Sequence, residues 1–382
     1  MKLKIFSDQS FVPKNVKHDF MLSPFWGKPP ESPLEGSDYP WTTRFIRYAQ
    51  TGHSLFEMTS LEEADVAIMP INWMTIRGNT WRTLKINQTA QNAAFQFASV
   101  VEKAGKPLIV FFEGDCSDEK IPIKNAIVFR ESIYRSQRKS NDFPICAFNE
   151  DIVEQYFNNQ LPIRQKRDKP VVGFCGFAKK TPFWQALLKD ISYHAVMLGL
   201  RAHKGVPPYK GHTLRYKALR NLSRSSNVNT NFEEKEGLVF LNSKDVDIRR
   251  QLRLQFLQNM VESDYILCCR GAGNFSYRLN ETLCCGRIPV FINTDCVLPY
   301  EFQIDWKKYC VWVEEDELPL IGQKVAEFHN NLSPQEFIDL QYECRKIWQQ
   351  WISPEGFFSN FYRHFEVTTN EPQRRKERKG KS

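Results

Sequence analysis

The chain has 382 residues, of which 42% are hydrophobic, and a formal net charge of +8. At about 100 to 200 residues per domain, this length predicts two domains, each with enough apolar residues for its own core. A membrane-spanning protein and a secreted protein are both disfavoured, because the sequence has neither an apolar run of about 18 residues nor a recognisable signal peptide. We therefore expect a cytoplasmic protein whose ten cysteines are reduced.

The first half of the sequence alternates strand-like and helix-like segments. In chain order these are the strand LKIFS, the strand DVAIMPIN that starts at Asp65, a periodic helical stretch over 83–104 and the strand 107–112. This alternation is typical of a parallel sheet with helices on both faces. Glu113 and Asp115 follow the last of these strands, and open α/β sheets bind ligands where their strands end. The two carboxylates are therefore candidate site residues.

A basic stretch before residue 169 separates the first half from a second alternating region. We predict an N-terminal domain over 1–165, a C-terminal domain over 166–350, a crossing helix over 351–366 and a basic disordered tail over 367–382. The predicted strands of the C-terminal domain are 171–175, 238–241, 265–269 and 288–292. Its predicted helices are 182–200, 247–261, 275–285 and one that a capping box opens at Ser333. This order of elements indicates a second doubly wound α/β domain.

Residues 270–276, RGAGNFS, form what we call the glycine turn. They follow a buried strand and precede a helix. Gly271 and Gly273 can adopt positive φ angles, and the N-terminus of the helix offers free amide groups and a partial positive charge. The arrangement suits a diphosphate, although a plain chain reversal uses the same residues and the third glycine of the dinucleotide fingerprint is missing.

Helical spacing separates the residues after the turn into two faces. The apolar face consists of Phe275, Leu279 and Leu283, and the polar face consists of Asn274, Arg278 and Glu281. Arg278 and Glu281 have the spacing of a surface ion pair, but beside the glycine turn we favour a ligand-binding role. Arg270 and Arg278 can pair with diphosphate oxygens, and Glu281 lies about 7 to 8 Å deeper along the helix. A carboxylate at that depth suits a ribose diol.

Two cysteine pairs, Cys268–Cys269 and Cys284–Cys285, raise the question of a zinc site. Adjacent residues on a strand point to opposite faces, and adjacent residues on a helix diverge by about 100°. Neither arrangement suits a shared metal ion. We expect buried small hydrophobic side chains at these positions and no metal bound by these cysteines.

A longer motif connects these residues to a known family. The segment that resembles the signature of the exostosin-like glycosyltransferases, family 47, is RGAGNFSYRLNETLCCGRIPVFINTDCVLPYEFQIDW. The shared elements are the arginine–glycine turn, serine-any-arginine, glutamate, isoleucine–proline–valine, leucine–proline and isoleucine–aspartate–tryptophan. Weaker similarity covers LEEADVAIMPIN, AIVFRESIYRSQRK and GHTLRYKALRNL, so the resemblance spans most of residues 60–315.

The resemblance implies a GT-B architecture of two facing Rossmann-like domains with a C-terminal crossing helix. The C-terminal domain then holds a nucleoside-diphosphate sugar, for which we favour a UDP-sugar, and the transfer inverts the anomeric configuration. By the same resemblance Arg270, Ser276 and Arg278 neutralise the leaving diphosphate, and Glu281 binds the ribose. Inverting transfer also needs a base for the acceptor hydroxyl. The candidates are Asp8, His18, Asp19, Glu113 and Asp115, of which we favour Asp115 and then Glu113.

The expected activity is transfer of a hexosyl or glycuronosyl group to an oligosaccharide or lipid-linked glycan in surface polysaccharide biosynthesis. The basic segment 201–224 predicts an amphipathic helix, whose charged face is either simply solvated or contacts the acceptor or an anionic membrane at its inner face. Two alternatives stay open: a fucosyltransferase-like GT-B enzyme that uses a GDP-sugar, and a non-catalytic binder of an anionic polymer that retains the fold. No nucleic acid partner is expected.

Overall fold

The computed structural model describes residues 2–27, 43–78, 86–178, 211–235 and 245–366, with isolated positions between 184 and 195 and residue 243. These residues form two α/β units, each built on a sheet whose described strands pair in parallel. The first sheet contains β1 (Leu3–Phe6), β2 (Phe56–Met58), β3 (Val66–Ile68), β4 (Leu108–Phe112), β5 (Ile127–Arg130) and β6 (Asp142–Pro144). The second contains β7 (Val171–Phe177), β8 (Asn229–Lys235), β9 (Tyr265–Cys268), β10 (Ile288–Asn293) and β11 (Val311–Glu314). The predicted α/β class with two Rossmann-like units is confirmed.

Helices cover both sheets. In the first unit they are α1 (Ser23–Trp26), α2 (Ile46–Thr51), α3 (Trp73–Arg77), α4 (Gln88–Lys103) and α5 (Ile152–Tyr156). In the second unit and the C-terminal region they are α6 (Gly211–Arg224), α7 (Val246–Val261), α8 (Tyr277–Cys284), α9 (Ile321–Asn330), α10 (Pro334–Ile347) and α11 (Pro354–Ser359). The capping box of Ser333 and Glu336 opens α10 as predicted. Most of the predicted helix 182–200 lies outside the described residues.

The strand order of the first sheet is β2-β1-β3-β4-β5-β6. Since β1 pairs with both β2 and β3, the winding direction of the sheet reverses between β1 and β3. Every residue of β4 is buried, as its continuous apolar run predicts for a strand covered on both faces. Because the strands are parallel, the carboxyl ends of β3, β4 and β5 lie at one edge of the sheet, which is the edge where folds of this kind bind ligands.

The second sheet has the order β11-β10-β9-β7-β8. Among its described strands the winding direction reverses between β7 and β9, which are direct neighbours. The glycine turn follows β9 and therefore lies at this switch point. The polar strand β8 was not predicted, and the predicted strand 238–241 lies outside the described residues.

The chain ends by crossing from the second unit to the first. A π-helical turn over Trp348–Ile352 follows α10, and α11 then packs on the first sheet, where Phe358 lies beside Phe111 of β4. The ring of Phe358 stacks on Tyr48 of the first unit with centroids 4.4 Å apart, and the Tyr300 hydroxyl of the second unit donates to the Phe357 carbonyl at 2.6 Å. The predicted crossing helix is confirmed, although α11 is shorter than the predicted range 351–366.

The cysteines are all buried and none forms a disulfide. Across the described residues, no group of three His, Cys, Asp or Glu side chains is arranged to hold a metal ion. No helix in the described part of the chain combines the length and the apolar character needed to cross a membrane.

Candidate functional site

The glycine turn is fastened to the first unit by Asn274. Its backbone amide donates to the Ser132 hydroxyl at 2.9 Å, and its side-chain amide donates to the carbonyls of Ile133 at 3.1 Å and Asp295 at 3.2 Å. The side-chain oxygen accepts from the Thr294 hydroxyl at 2.7 Å. Asn274 is 1% exposed, so we assign it a role in positioning the turn and not the ligand contact that the sequence suggested.

The helix after the turn begins later than predicted. It starts at Tyr277, with Ser276 as its N-cap, so Asn274 and Phe275 precede it. The turn extends to Phe275 because the Gly271 amide donates to the Phe275 carbonyl at 3.3 Å. The prediction that Asn274 shares a helix face with Arg278 and Glu281 is therefore wrong, and so is the inclusion of Phe275 in a helical apolar face.

The two glycines of the turn are needed for close approach and not for an unusual backbone angle. Neither Gly271 nor Gly273 has a positive φ, contrary to the expectation from the sequence. A Cβ atom on Gly273 would lie 2.7 Å from the Asp115 Cα and 2.6 Å from a ring carbon of Phe275. The Gly271 carbonyl is packed against Gly211 at the start of α6, where a Cβ would overlap it. Small residues thus let three backbone segments meet at the turn.

Two of the predicted arginines converge where β7 and β9 end. Arg270 is 2% exposed and donates to the Tyr134 hydroxyl and to the Ala272 carbonyl, both at 2.8 Å. Arg278, in the first turn of α8, donates to the Cys175 carbonyl at 2.7 Å. The two side chains, one before and one after the glycine turn in the sequence, are thus each held by a backbone carbonyl near these strand ends.

A third arginine, Arg215 on α6, completes what we call the arginine cluster of Arg215, Arg270 and Arg278. It donates to the carbonyls of Phe177 at 3.3 Å and of Arg270 at 3.1 Å. Burial lowers the pKa of Arg278, and the positive charge of Arg215 lowers it further. The sequence placed Arg215 only on a basic helix, although its segment GHTLRYKALRNL shares the family resemblance. Three guanidinium groups in one region suit an anionic ligand.

Ser276 lies beside this cluster as the N-cap of α8. Its side chain makes no capping hydrogen bond. The hydroxyl and the free amide groups at the start of α8 are therefore donors at the positive end of a helix.

Glu281 belongs to a buried chain of charges that joins the two units. One guanidinium nitrogen of Arg253, on α7, donates to Glu281 at 2.7 Å and the other donates to Glu150 at 2.6 Å. Glu150 is 1% exposed, and burial raises its pKa although Arg253 opposes the shift. Arg253 therefore fixes the position of the Glu281 carboxylate, a relationship that the sequence did not predict.

The two predicted catalytic carboxylates occupy different places. Asp115 reaches into the second unit and accepts from the Gly273 amide at 2.7 Å. Burial raises the pKa of Asp115, while the Gly273 amide and nearby Arg270 act in the opposite direction. Glu113 stays with the first unit, where it pairs with Arg44 at 3.1 Å and accepts from Asn72 at 3.4 Å.

Further carboxylates lie at the same edge of the first sheet. Glu131, after β5, accepts from the Gly114 amide at 2.5 Å and from the Tyr277 hydroxyl at 3.4 Å. Asp19 accepts from Asn72 at 2.9 Å. Burial raises the pKa of each to about 8, and the charge of Glu113 adds to both shifts. Sequence reasoning considered Asp19 but missed Glu131, whose signal is its position in AIVFRESIYRSQRK directly after a strand.

Comparisons with known proteins show what this region is similar to. Residues 204–328 match the family model described as Exostosin GT47 domain. Over 111 residues the chain is 28% identical to Exostosin-1 of Drosophila melanogaster, a match that covers 29% of this chain and 14% of that protein. Over 88 residues it is 35% identical to Probable glucuronosyltransferase 47 A of Physcomitrium patens, covering 22% of this chain and 20% of the relative. The chain thus matches a fifth or less of the length of these relatives.

Among solved structures, the crystal structure of TarM aligns over 68% of this chain and 54% of its own, with 12% identity and a TM-score of 0.33. A likeness at this level does not establish a common fold, and the architecture above rests on the strand order of this chain. The family model, the relatives and the motif that starts at Arg270 agree with one another. Residues 204–328 are therefore similar to the Exostosin GT47 domain, and within this chain the similarity to the named relatives covers 22% to 29% of the residues.

Proposed function

We propose that the chain is an inverting glycosyltransferase that transfers a sugar from a nucleoside-diphosphate sugar to a glycan acceptor. The observation that carries this proposal is the arginine cluster, in which three guanidinium groups from different elements meet at the switch point between β7 and β9. The three positive charges of the cluster outnumber the nearby carboxylates of Asp115 and Glu281, and the remaining positive charge suits a diphosphate. Relatives named exostosin and glucuronosyltransferase support sugar transfer, and with it a UDP-sugar as donor.

The same groups supply the chemistry of the leaving group. Negative charge grows on the diphosphate as its bond to the sugar breaks. Fixed guanidinium groups and the N-terminus of α8 stabilise that charge without reorganising, and Ser276 adds a hydroxyl donor. We expect these groups to replace a divalent metal, so transfer should continue in the presence of EDTA.

Glu281 is proposed to bind the ribose of the donor. It lies one helical turn beyond Arg278, deeper along α8. Arg253 fixes its carboxylate by the hydrogen bond of 2.7 Å. A carboxylate accepts several hydrogen bonds, so Glu281 retains acceptor capacity for a ribose hydroxyl.

The position of Asp115 favours Glu113 as the base. In an inverting displacement the base and the leaving group act on opposite sides of the anomeric carbon. Asp115 hydrogen-bonds to the glycine turn itself, which is the leaving-group side of the proposed site. The hydrogen bonds of Glu113 run to Arg44 and Asn72 of the first unit. We therefore propose Glu113 as the base and reverse the order of preference that the sequence suggested.

The acceptor is proposed to be an oligosaccharide or a lipid-linked glycan. Lys217, Arg220 and Arg224 of α6 line a groove of about 670 Å³ on the second unit, where they outnumber its two acidic residues, Glu315 and Asp316. Basic side chains at a groove attract acidic glycans and anionic lipid headgroups. Peripheral contact with an anionic membrane is therefore part of the proposal.

Nucleotide binding tests the proposal most directly. Calorimetry and thermal unfolding with UDP and GDP should give binding and a raised unfolding temperature, with UDP favoured. Arg278→Gln should weaken UDP binding by at least about tenfold, since it removes a charge-assisted contact. The matched control Arg224→Gln removes the same charge from an exposed position of α6 and should leave UDP affinity unchanged. Preference for GDP would favour the fucosyltransferase-like alternative. Binding of neither nucleotide, together with salt-sensitive binding of anionic polymers, would replace the proposal by a non-catalytic one.

A further inference from the structure

Asp115 belongs to the first unit but its carboxylate ends inside the glycine turn of the second. The contact is the hydrogen bond of 2.7 Å from the Gly273 amide to Oδ1. A Cβ atom built on Gly271 would lie 3.9 Å from the same Oδ1 and 3.7 Å from a guanidinium nitrogen of Arg215. The carboxylate, the turn and the guanidinium group thus surround one small volume.

The groups around Asp115 are those that bind phosphate oxygens in proteins. A backbone amide of a glycine-rich turn and arginine guanidinium groups recur at such sites. Arg270 and Arg215 both favour the charged form of Asp115. A carboxylate oxygen and a phosphate oxygen are both anionic acceptors, and a single N–H group cannot donate fully to both.

We propose that the Asp115 carboxylate and a phosphate oxygen of the nucleotide are alternative acceptors for the Gly273 amide, so that nucleotide binding displaces Asp115 from the turn. This inference rests on the proposed function and deepens it. It makes Asp115 a residue that sets nucleotide affinity from the opposite unit, by competition.

Competition between Asp115 and the diphosphate favours release of the product. A site with several positive charges holds a diphosphate product tightly, and slow product release limits many enzymes. When Asp115 returns to the Gly273 amide it replaces one contact of the departing diphosphate and so favours release. The exchange also breaks one hydrogen bond between the units, while the Asn274 amide keeps its bond to Ser132 at 2.9 Å.

The test is the substitution Asp115→Asn, which keeps the size of the side chain and removes its charge. UDP affinity measured by calorimetry should increase by at least about tenfold, because the diphosphate no longer competes with an anionic acceptor. Uridine, which has no phosphate, should bind the variant and the wild type equally. If Asp115 were itself a ligand contact, its substitution would weaken UDP binding. An increase in UDP affinity is therefore specific to competition.

Asp65→Asn is a matched control. Asp65 also accepts a backbone amide, that of Lys4 at 2.9 Å, but it precedes β3 and so lies at the opposite edge of the first sheet. Its substitution should leave UDP affinity unchanged. A second variant, Asp115→Ser, also removes the charge and should tighten UDP binding in the same direction.

Three results would overturn the inference while leaving the proposed function intact. In the first, the wild type binds UDP and neither Asp115 variant binds it more tightly. In the second, the variants gain as much affinity for uridine as for UDP, and in the third, the variants lose their fold. The last result would make Asp115 a structural tether. Wild-type protein that binds neither UDP nor GDP would instead contradict the proposed function itself.

Discussion

Arg253 and Glu281 are joined by a hydrogen bond of 2.7 Å, and the same guanidinium group reaches Glu150 at 2.6 Å. The proposed ribose ligand therefore depends on α7 and on the end of the first unit. Arg253 lies between two carboxylates, and burial, together with the charge of Glu281, raises the pKa of Glu150. The Arg253–Glu281 pair both stabilises the fold and positions the proposed ribose ligand, and the two roles can be measured separately.

Arg253→Met should destabilise the protein strongly at neutral pH. The change leaves two buried carboxylates facing each other without their shared cation, and loss of one partner of a buried pair costs about 3 to 5 kcal/mol. Urea unfolding at pH 7.5 measures the free energy of unfolding. The deficit should shrink at lower pH, where protonation of Glu150 removes the repulsion. Lys346→Met, at a pair whose lysine side chain is 56% exposed, is the control and should cost under about 1 kcal/mol.

Glu281→Gln should weaken UDP binding by about ten- to a hundredfold, since it removes the anionic acceptor proposed for the ribose. Arg253 keeps its bond to Glu150, so the unfolding temperature should fall little. Calorimetry with UDP gives the affinity. Glu262→Gln, at the exposed end of α7, is the control. Equal UDP affinity in wild type and Glu281→Gln would contradict the ribose role.

Alanine substitutions at Gly271 and Gly273 should show which glycine is needed for the stability of the fold and which is needed only for UDP binding. At Gly273 a Cβ meets the Asp115 backbone at 2.7 Å, whereas at Gly271 its nearest neighbour is Arg215 at 3.7 Å. Gly273→Ala should cost about 1 to 3 kcal/mol in the free energy of unfolding and abolish UDP binding. Gly271→Ala should keep its stability but lose UDP affinity, because the new methyl group points toward the arginine cluster. Equal losses in the free energy of unfolding for Gly271→Ala and Gly273→Ala would contradict this difference between the two positions.

Glu131 makes stability depend on pH in a direction opposite to that of an ion-paired carboxylate. Burial raises its pKa to about 8 in the folded protein, well above the ordinary value of about 4.3 in an unfolded chain. The folded state therefore binds more protons between these values, so the free energy of unfolding falls as pH rises through that window. The glutamine of Glu131→Gln is neutral at every pH. The fall in the free energy of unfolding between pH 5.5 and 8.5 should therefore be smaller in this variant by on the order of 2 kcal/mol. Denaturant unfolding at both pH values checks this, and an unchanged loss would mean that Glu131 is ionised in the fold.

The elements that the sequence predicted well are those whose signal is local. A strand buried on both faces is a continuous apolar run, so β4 and β10 are found within a residue or two of their predicted bounds. The strand β8 was missed because its residues, NTNFEEK, are polar and none of them is buried. The start of α8 was misplaced because Phe275 has the right spacing for the helix but lies in the turn.

The site was predictable where the motif is contiguous and unpredictable where it is not. Arg270 and Arg278 flank the turn in the sequence, and the structure brings them to the same strand ends. Ser132, the partner of the Asn274 amide, lies 142 positions away in the sequence. Arg253, which holds Glu281, is itself bonded to Glu150, 103 positions from it. Such pairings follow from the meeting of two units, and no local pattern encodes them. The sequence singled out Asp115 by its position after β4, but its contact with Gly273 changes the role that we propose for it.

Glu113→Gln should lower kcat for sugar transfer by about 10² to 10⁴, the usual contribution of a general base, and leave UDP affinity unchanged. The amide keeps the size of the side chain and its contact with Arg44, but it cannot take the proton of the acceptor hydroxyl. Initial rates with a UDP-sugar and a glycan acceptor, beside calorimetry with UDP, separate the two quantities. Glu102→Gln, at an exposed position near the end of α4, controls for the loss of one charge. Near wild-type turnover in Glu113→Gln together with a loss in Asp115→Asn would restore Asp115 as the base, and a loss confined to Glu131→Gln would transfer that role to Glu131.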